Sequence, residues 1–575
     1  MSININTTSL FFLSALYWLV GMHVFMHNPG GQGLYLPVNA WGWIFGSLAT
    51  GLGLWRISQS GKLTFTAMQK GLWGGAFLLL LPMLYPGSEL KAQALPRLLG
   101  LLAGLLFLFC LYQWQLSRAG RDKLLHLLLG GVALEALLGL VQFYLLEPGN
   151  WMGYDARANR PYGIFQQPNV MASFMATGLA LATWLELRND GQGWLKALRY
   201  GVVLSASLLL TVLQSRVGLL GGLLALLLLA PQLLRRRQWM IPALVVLGVV
   251  IGLGFRPEGQ QLTQRGLEIY QSGGVRAQYW AHAANLIAQA PWAGWGYGTF
   301  EFTFLNEYAA KLALQPQLPT IGENVDHPHN EFLYWAVEGG LAAMLGLVLM
   351  AATLLRRVFQ AGVVKGMGLL ALLTPILLHT QTEYPLYHAV ALWWALLLLV
   401  YAMDADIEED RQGPGLSTWG EFVHQPKSLM RLAALLLPLV VVPYMISALH
   451  TAWVVTEFER KGRYDTDLLQ KIINPLPWLS RVENNVFTLQ LQEGLLTRDP
   501  EQLESYLKWA QGHVRHTPRA RIYANMAMAL QAMGKTKEAQ DMQALGLRLY
   551  PGNPGLSKAL SVGAEMGKSA KTPSL

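Results

Sequence analysis

The densest group of reactive side chains lies at residues 326–331, which read Asp-His-Pro-His-Asn-Glu and lead into an apolar stretch. Imidazole exchanges a proton near neutral pH, so a histidine in this block is a candidate general base. His327 and His329 could instead bind a metal ion, but no further ligands follow at a recognisable metal-site spacing. We therefore favour proton transfer, with Asn330 as a neighbouring substrate-binding candidate.

Two arginines are candidates for binding phosphate. Arg216 follows Ser215 at a break between two apolar runs, and Arg276 lies four residues before Trp280, so those two would share a face of a helix. A guanidinium keeps its charge and matches phosphate oxygens with two parallel hydrogen bonds. A lone arginine at a membrane surface can equally be an anchor to lipid headgroups, and the sequence leaves that alternative open.

Amides and one further acid complete the candidates. Residues 163–169 read Gly-Ile-Phe-Gln-Gln-Pro-Asn, and the amides of Gln167 and Asn169 could bind sugar hydroxyls because each amide both donates and accepts. Plain capping of a helix that begins at Pro168 is the alternative. Residues 379–388 add Glu383 and Tyr384. Glu135, inside an apolar run, is either functional or a structural hydrogen-bonding group.

The composition places these residues in a membrane protein. Of 575 residues, 53% are hydrophobic and 13% are charged, whereas a soluble domain carries about 25% charged residues. This excludes a disordered chain, a nucleic-acid-binding domain and an ordinary soluble enzyme. The single cysteine, Cys110, excludes an intrachain disulfide and a cysteine-based metal site. We expect the net charge of +9 to reside in cytoplasmic loops.

The predicted fold is an all-α polytopic membrane protein with about 13 transmembrane helices, a large periplasmic loop and a C-terminal helical domain. The transmembrane domain covers 1–455 and its long loop 256–328. Residues 456–560 form a helical domain that resembles a tetratricopeptide repeat at 520–551 or is a plain helical hairpin, and 561–575 are disordered. The predicted spans are 9–27, 36–55, 70–86, 96–115, 124–146, 169–187, 200–214, 217–233, 239–255, 330–354, 366–380, 386–403 and 431–455.

The basic residues predict the orientation of these spans. One alternating set of loops carries 18 lysines and arginines and the other set nine, four of which lie in the long loop. The richer set is expected in the cytoplasm, which puts the N-terminus inside and the C-terminal domain outside. All the candidate clusters then share the outer face. A shared face indicates an active site in which arginines bind phosphate, a histidine takes a proton, and amides and aromatic rings bind sugars.

On these residues the chain resembles the O-antigen ligase and polymerase (Wzy/WaaL) superfamily, and more closely the PglL-type bacterial protein O-oligosaccharyltransferases. The resemblance runs from about residue 100 to 450. It rests on the pattern at 163–169, Ser215-Arg216, Arg276 with Trp280, 291–300, His327 to Gly340, and 382–385. The His-x-His-Asn and Gln-Pro-Asn blocks together make it fairly specific.

The resemblance implies a donor oligosaccharide on undecaprenyl diphosphate and an acceptor Ser or Thr hydroxyl of a periplasmic or pilin-like protein, at the bacterial inner membrane. It implies His329 as the catalytic base, with neither a metal nor another cofactor. Arg216 and Arg276 would bind the diphosphate. Gln167, Asn169, Trp280, His327, Asn330, Glu383 and Tyr384 would contact substrate or support the residues that do.

Other functions remain possible from the sequence. An O-antigen ligase with lipid A–core as its acceptor, or an O-antigen polymerase, would use the same site chemistry. A flippase of lipid-linked oligosaccharides would need polar groups along the whole membrane path, whereas here they cluster on one face. A structural assembly protein would leave His329 and Arg276 without a role.

Overall fold

A computed structural model describes residues 6–569, with gaps at 62, 88, 159, 189–192, 256, 258–273, 323, 413–426 and 463–464. The described residues are helical and contain no β-strand. The α-helices are α1 Thr7–Leu19, α2 Pro37–Ser60, α3 Ala67–Leu80, α4 Leu95–Tyr112, α5 Arg118–Tyr144, α6 Pro168–Arg188, α7 Trp194–Leu213, α8 Arg216–Arg236, α9 Met240–Gly254, α10 Gly274–Gln289, α11 Phe300–Leu314, α12 Glu331–Gln360, α13 Val363–Thr380, α14 Pro385–His388, α15 Val390–Gln412, α16 Lys427–Arg460, α17 Asp467–Gln470, α18 Leu479–Thr497, α19 Pro500–His513, α20 Ala520–Ala532, α21 Thr536–Leu549 and α22 Pro554–Ser569.

Within the described residues, ten helices are long and apolar enough to cross a membrane, so the predicted number of 13 is not confirmed. The predicted span 9–27 is a helix of only 13 residues, because the chain leaves α1 for a 3-10 turn at Gly21–His23. The span 239–255 is a helix of 15 residues. The predicted span 36–55 corresponds to α2, which is long enough to cross a membrane. Its polar residues and glycines make it less apolar than the ten candidate spans.

Residues 1–76, 99–272 and 347–478 form a first compact unit. Its central helix is α6, whose membrane-spanning stretch is entirely buried. An enclosed helix is mostly apolar on every side, and the buried hydroxyls of Ser173 and Thr177 in α6 donate to backbone carbonyl oxygens. A helix at the lipid boundary needs small residues only where it meets a neighbour. Gly218 provides such a place, because a Cβ there would lie 2.4 Å from the Cβ of Ala172. α8 therefore approaches α6 at van der Waals distance.

One end of the first unit holds a buried network of charges. Asp404 and Asp406 lie near the end of α15 and are almost fully buried. The Arg357 guanidinium donates to Asp404 Oδ1 at 2.5 Å, and the Arg121 guanidinium donates to Asp406 Oδ1 at 2.6 Å. Arg188 also pairs with Asp406. Sequence analysis singled out only one intramembrane carboxylate, because the predicted span 386–403 stops before Asp404 whereas α15 continues to Gln412.

Residues 77–98, 273–346 and 479–575 form the second compact unit. Its C-terminal helices α18–α22 enclose an apolar core that also contains Leu305 and Ala309 of α11. The long loop and the C-terminal region therefore share one core. α20 and α21 are joined by a turn at Gly534 (φ 77°), which is the helical hairpin that the sequence allows. A closer relation to the tetratricopeptide repeat stays a prediction.

The end of the chain, residues 561–575, is predicted to be disordered. Helix α22 begins in the C-terminal core, where Leu556 and Ala559 are buried, and continues to Ser569. Disorder over 561–575 stays a prediction, and residues 570–575 lie outside the described part of the chain.

Candidate functional site

The predicted site residues fall into two groups, one in each compact unit, and each group is described within its own unit. The first unit holds those from the segments at 163–169, 214–216 and 379–388. The second unit holds those from α10 and from the block at 326–331. The first group is Gln167, Asn169, Arg216, Glu383 and Tyr384, and the second is Arg276, Trp280, His327, His329 and Asn330.

Two helices of the first unit begin at predicted site segments. At the start of α6, Gln167 Oε1 accepts the N–H of Val170 at 3.3 Å and also that of Asn169. At the start of α8, Ser215 Oγ accepts the N–H of Gly218 at 3.4 Å. These bonds satisfy amide groups that have no partner inside a helix. The amide oxygen of Gln167 is thus engaged in capping, which is the alternative that the sequence left open.

The residues just before these caps have an uncommon backbone conformation. Gln166 has φ 56° and Gln214 has φ 49°, which lie in the left-handed region that favours glycine. Non-glycine residues in this region cost about 1–2 kcal/mol relative to the right-handed conformation. The surrounding contacts must offset this cost, and such residues concentrate at functional sites.

A chain of hydrogen bonds brings together three segments that are far apart in sequence. Ser215 Oγ donates to Asn169 Oδ1 at 2.9 Å, and Asn169 Nδ2 donates to Glu383 Oε1 at 3.4 Å. Glu383 is buried, and Asn169 is half-buried. Arg216 follows Ser215 as the first residue of α8 and is exposed. The first unit therefore brings its predicted residues together around Asn169.

The link between α13 and α15 is fixed by two polar residues to which sequence analysis gave no role. The buried ring of His388 donates from Nε2 to the Phe165 carbonyl oxygen at 2.9 Å, and burial lowers the pKa of His388. The Asn39 side chain donates to the His388 carbonyl oxygen at 2.7 Å and accepts the N–H of Val390 at 2.9 Å. The role of Asn39 could have been suspected from the sequence, because it is a lone asparagine inside the predicted apolar span 36–55. Tyr384 precedes α14 and is half-buried.

In the second unit, His327 holds the backbone of His329. The N–H of His329 donates to His327 Nδ1 at 2.9 Å. An amide N–H can only donate, so this Nδ1 accepts and carries no hydrogen, and the ring hydrogen of His327 lies on Nε2. That Nε2 is 3.4 Å from the Glu331 carboxylate. His327 is buried, and its tautomer is therefore set by the two groups on either side of its ring.

His329 itself adopts the left-handed conformation, with φ 55°, two residues before α12 begins. Its half-buried ring stacks on Tyr279, with an interplanar angle of 16° and 6.2 Å between ring centroids. The next residue, Asn330, accepts the N–H of Leu333 at 3.0 Å and so caps α12. Tyr279 was missed by sequence analysis, although it lies between Arg276 and Trp280 on α10. The second unit thus places α10 beside His329 through Tyr279.

In the same unit, a buried arginine stabilises the first turns of α12. Arg97 forms an ion pair with Glu338, and both side chains are almost fully buried. Glu338 Oε1 also accepts the N–H of Phe300 at 3.0 Å. Sequence analysis used Arg97 only to predict the orientation of the membrane spans. The guanidinium carbon of Arg97 lies 4.4–4.7 Å from the centroids of three aromatic rings, those of Tyr297, Tyr334 and Trp335.

The glycine-rich stretch after α10 lies directly against the kink in α12. The N–H of Gly296 donates to the Glu338 carbonyl oxygen at 2.9 Å, and α12 kinks at Gly340, where φ is 56°. A Cβ on Gly294 would lie 2.5 Å from that same carbonyl oxygen. Two backbones can approach this closely only where side chains are absent.

Among the described residues, no three His, Cys, Asp or Glu side chains converge to hold a metal ion.

Three family models match the chain. Residues 161–185 match a family described as "Protein glycosylation ligase", residues 201–348 match "O-Antigen ligase", and residues 367–561 match "Virulence factor membrane-bound polymerase, C-terminal". No curated protein sequence matches it. The three ranges include the predicted site residues of both units. The chain belongs to the superfamily of O-antigen ligases and PglL-type protein glycosylation ligases, and it is a multi-pass membrane enzyme that transfers glycosyl groups.

Proposed function

We propose that this enzyme transfers an oligosaccharide en bloc from undecaprenyl diphosphate to Ser or Thr hydroxyls of periplasmic or pilin-like proteins. The observation that carries the proposal is the conformation of His329, which the His327 ring holds in the left-handed region at the start of α12. The match of residues 161–185 to protein glycosylation ligases supports a protein acceptor. The proposed site faces the periplasm and the N-terminus the cytoplasm, in line with the distribution of basic residues.

In the proposed reaction, His329 acts as the general base. A serine or threonine hydroxyl is a weak nucleophile, so its proton must leave as its oxygen attacks the anomeric carbon. The new carbon–oxygen bond forms while the bond to the diphosphate oxygen breaks, and the proton passes to the imidazole. A single displacement inverts the anomeric carbon. The reaction releases undecaprenyl diphosphate and requires neither a metal nor another cofactor.

In the proposed site, Arg216 and Arg276 bind the diphosphate leaving group. Negative charge grows on the diphosphate as its bond to the sugar breaks, and a guanidinium at that position stabilises the transition state more than the ground state. Removal of one such contact typically lowers the rate by about 10²–10³-fold. Lysine in place of arginine keeps the charge but loses the paired hydrogen bonds. We therefore expect Arg216→Lys and Arg276→Lys each to lower kcat.

A second candidate function is an O-antigen ligase or polymerase. The matches of residues 201–348 and 367–561 to O-antigen ligase and to a membrane-bound polymerase favour it. The same base and leaving-group chemistry would serve this reaction. The acceptor would be lipid A–core or a second glycan, so the two functions differ in the acceptor hydroxyl alone.

The experiment that separates these functions is reconstitution of the purified chain with undecaprenyl-diphosphate oligosaccharide. One tube receives a pilin-type acceptor protein and a parallel tube receives lipid A–core, and mass spectrometry follows the sugar. A mass increase on a Ser or Thr peptide is expected. Transfer to lipid A–core alone would replace the proposal with the ligase function. No transfer to either acceptor, with intact donor and an active control enzyme, would refute both the protein and the lipid A–core acceptor and would favour the polymerase function or a flippase.

Variants assayed in the same system test the proposed roles. We expect His329→Ala to lose about 10²–10⁴-fold in rate, the usual contribution of a general base. His27→Ala is the matched control, because His27 is exposed and lies outside the site segments. Arg235→Lys, near the end of α8, is the control for Arg216→Lys. Wild-type transfer by His329→Ala at equal membrane levels would refute the assignment of the base, and loss of transfer in EDTA with rescue by a divalent ion would refute metal independence.

A further inference from the structure

We propose that Glu135 and Gln142, two buried residues of α5, are positioning residues that fix the turn at 162–164 and thereby set the place of Asn169. Both side chains are 0% exposed. This inference rests on the proposed function, since it assigns Asn169 and its neighbours to the substrate-binding part of that site. It concerns the first compact unit only.

Hydrogen bonds from α5 determine the backbone of the turn. Glu135 Oε1 accepts the N–H of Ile164 at 2.8 Å. Seven residues further along the same face of α5, Gln142 Oε1 accepts the N–H of Gly163 at 2.7 Å and that of Tyr162 at 2.9 Å. Gln142 Nε2 donates to the Gly163 carbonyl oxygen at 3.0 Å. Three successive amide groups are thus bound by two side chains of one helix.

The contact between the turn and Glu135 leaves no space for another side chain. Gly163 has φ 59°, and a Cβ added to it would lie 1.6 Å from Glu135 Oε1. The glycine is therefore needed both for its backbone conformation and for the close approach of the carboxyl group. On its other side, Glu135 Oε2 lies 3.5 Å from His23 Nε2, so the turn after α1 also meets this carboxyl group.

The turn leads directly to the residues proposed to meet the substrate. Ile164 is five residues before Asn169, and the left-handed Gln166 and the capping Gln167 lie between them. Asn169 then bonds to Ser215 and Glu383. A displacement of the turn would therefore move the amide that joins three segments. A buried carboxyl group is costly in an apolar helix, and apolar residues could fill the same volume if packing were its only role.

Hydrogen–deuterium exchange tests the contact without any substrate. Glu135→Leu removes the acceptor for the Ile164 N–H, whereas Glu135→Gln keeps an oxygen at that position. We expect Glu135→Leu to raise exchange at least about 10-fold in peptides that contain Ile164, since exchange follows local opening. Glu135→Gln should stay near the wild type. Glu147→Leu is the matched control, because Glu147 is exposed just beyond α5. Unchanged exchange in Glu135→Leu would overturn the inference.

A double-mutant cycle on transfer activity then separates positioning from general stability. If Glu135 acts through Asn169, Glu135→Leu lowers kcat/KM at least about 10-fold in the wild type but less than about 3-fold in Asn169→Ala. We also expect a raised KM for the lipid-linked donor, whereas a loss of folded enzyme would lower kcat alone. Effects that multiply independently would overturn the inference. Should Glu135→Leu fail to reach the membrane, Glu135→Gln and Gln142→Leu serve in the same cycle, with Gln142→Leu expected to lose activity and Glu135→Gln to keep it.

The two proposals fail in different ways. If the wild type transfers no glycan to any acceptor, the proposed function falls, and the exchange result still decides whether Glu135 holds the turn. If the wild type transfers glycan normally while Glu135→Leu matches Glu147→Leu in exchange and in kcat/KM, the positioning role falls and the proposed function stands.

Discussion

Substitutions of His327 test how the backbone of His329 is held. Nδ1 of His327 accepts the N–H of His329, and Nε2 faces Glu331. Asparagine places its Oδ1 where Nδ1 stands in histidine and can accept the same N–H. Glutamine carries its amide carbon there, which cannot accept a hydrogen bond, and places its amide oxygen and nitrogen near the former Nε2. The two substitutions therefore test the two sides of the His327 ring separately.

The expected magnitude follows from the conformation of His329. A left-handed non-glycine residue costs about 1–2 kcal/mol, and loss of a buried hydrogen bond costs about 1–3 kcal/mol when a donor is left without a partner. A net loss of about 1.4–2.8 kcal/mol would reduce the population of the productive conformation about 10- to 100-fold. We expect this reduction in kcat/KM for His327→Gln. His327→Asn should stay within about fivefold of the wild type.

The assay is transfer from a labelled undecaprenyl-diphosphate oligosaccharide to an acceptor peptide, with enzyme amounts matched in proteoliposomes. His27→Asn serves as the control for a histidine outside the site. The reasoning would be refuted if His327→Gln were as active as the wild type while His327→Asn were inactive. That result would mean that His327 acts through Nε2 and not through the backbone of His329.

Three further predictions concern the second unit. Glu338→Gln should shorten the thermal inactivation half-life, because breaking a buried ion pair, here with Arg97, typically costs about 3–5 kcal/mol; an unchanged half-life would contradict a stabilising role. Gly340→Ala should be far more destabilising than Gly362→Ala, since both have positive φ but only the first would place a Cβ within 2.5 Å of other atoms, and equal losses in a denaturation assay would contradict the close backbone approach. Burial raises the pKa of Glu301 to about 8, so the folded chain binds this proton more tightly than the unfolded chain, and stability is full below the ordinary pKa of glutamate and declines as the pH rises through about 8. Glu301→Gln should flatten inactivation half-lives measured from about pH 4 to about pH 9, and an equal slope in both proteins would contradict the assignment.

Sequence periodicity predicts the helices well where a span is apolar and its ends carry a strong turn signal. The break at Gln214-Ser215 was predicted from one polar pair inside a long apolar run, and the structure ends α7 and begins α8 there. The start of α6 at Pro168 was predicted from the same kind of signal. The number of spans was less predictable, because α1 and α9 are apolar but shorter than a membrane crossing.

The contacts of individual side chains were predictable only where they are local. Capping by Gln167 follows from its position before Pro168. It was one of two interpretations of that segment, the other being the binding of sugar hydroxyls. The ion pair of Arg97 with Glu338 joins residues 241 positions apart, and single-residue patterns carry no information on such a pairing. The hydrogen bond from His329 to His327 depends on the left-handed backbone of His329, which the sequence does not predict.

The acidic end of α15 imposes an order on the assembly of the first unit during synthesis. Arg121, Arg188 and Arg357 precede Asp404 and Asp406 in the chain, yet all three are buried against α15 carboxylates in the folded protein. Arg188 already has Asp122 of α5 as an ion-pair partner. Before α15 is made, burying Arg121 and Arg357 would leave their charges without compensation, at a cost of several kcal/mol each. Their helices can enter the membrane early, but they can close together at this end only when α15 arrives. A ribosome-bound chain that stops before residue 404 should therefore present an open, hydrated end, which the acidic segment of α15 later closes.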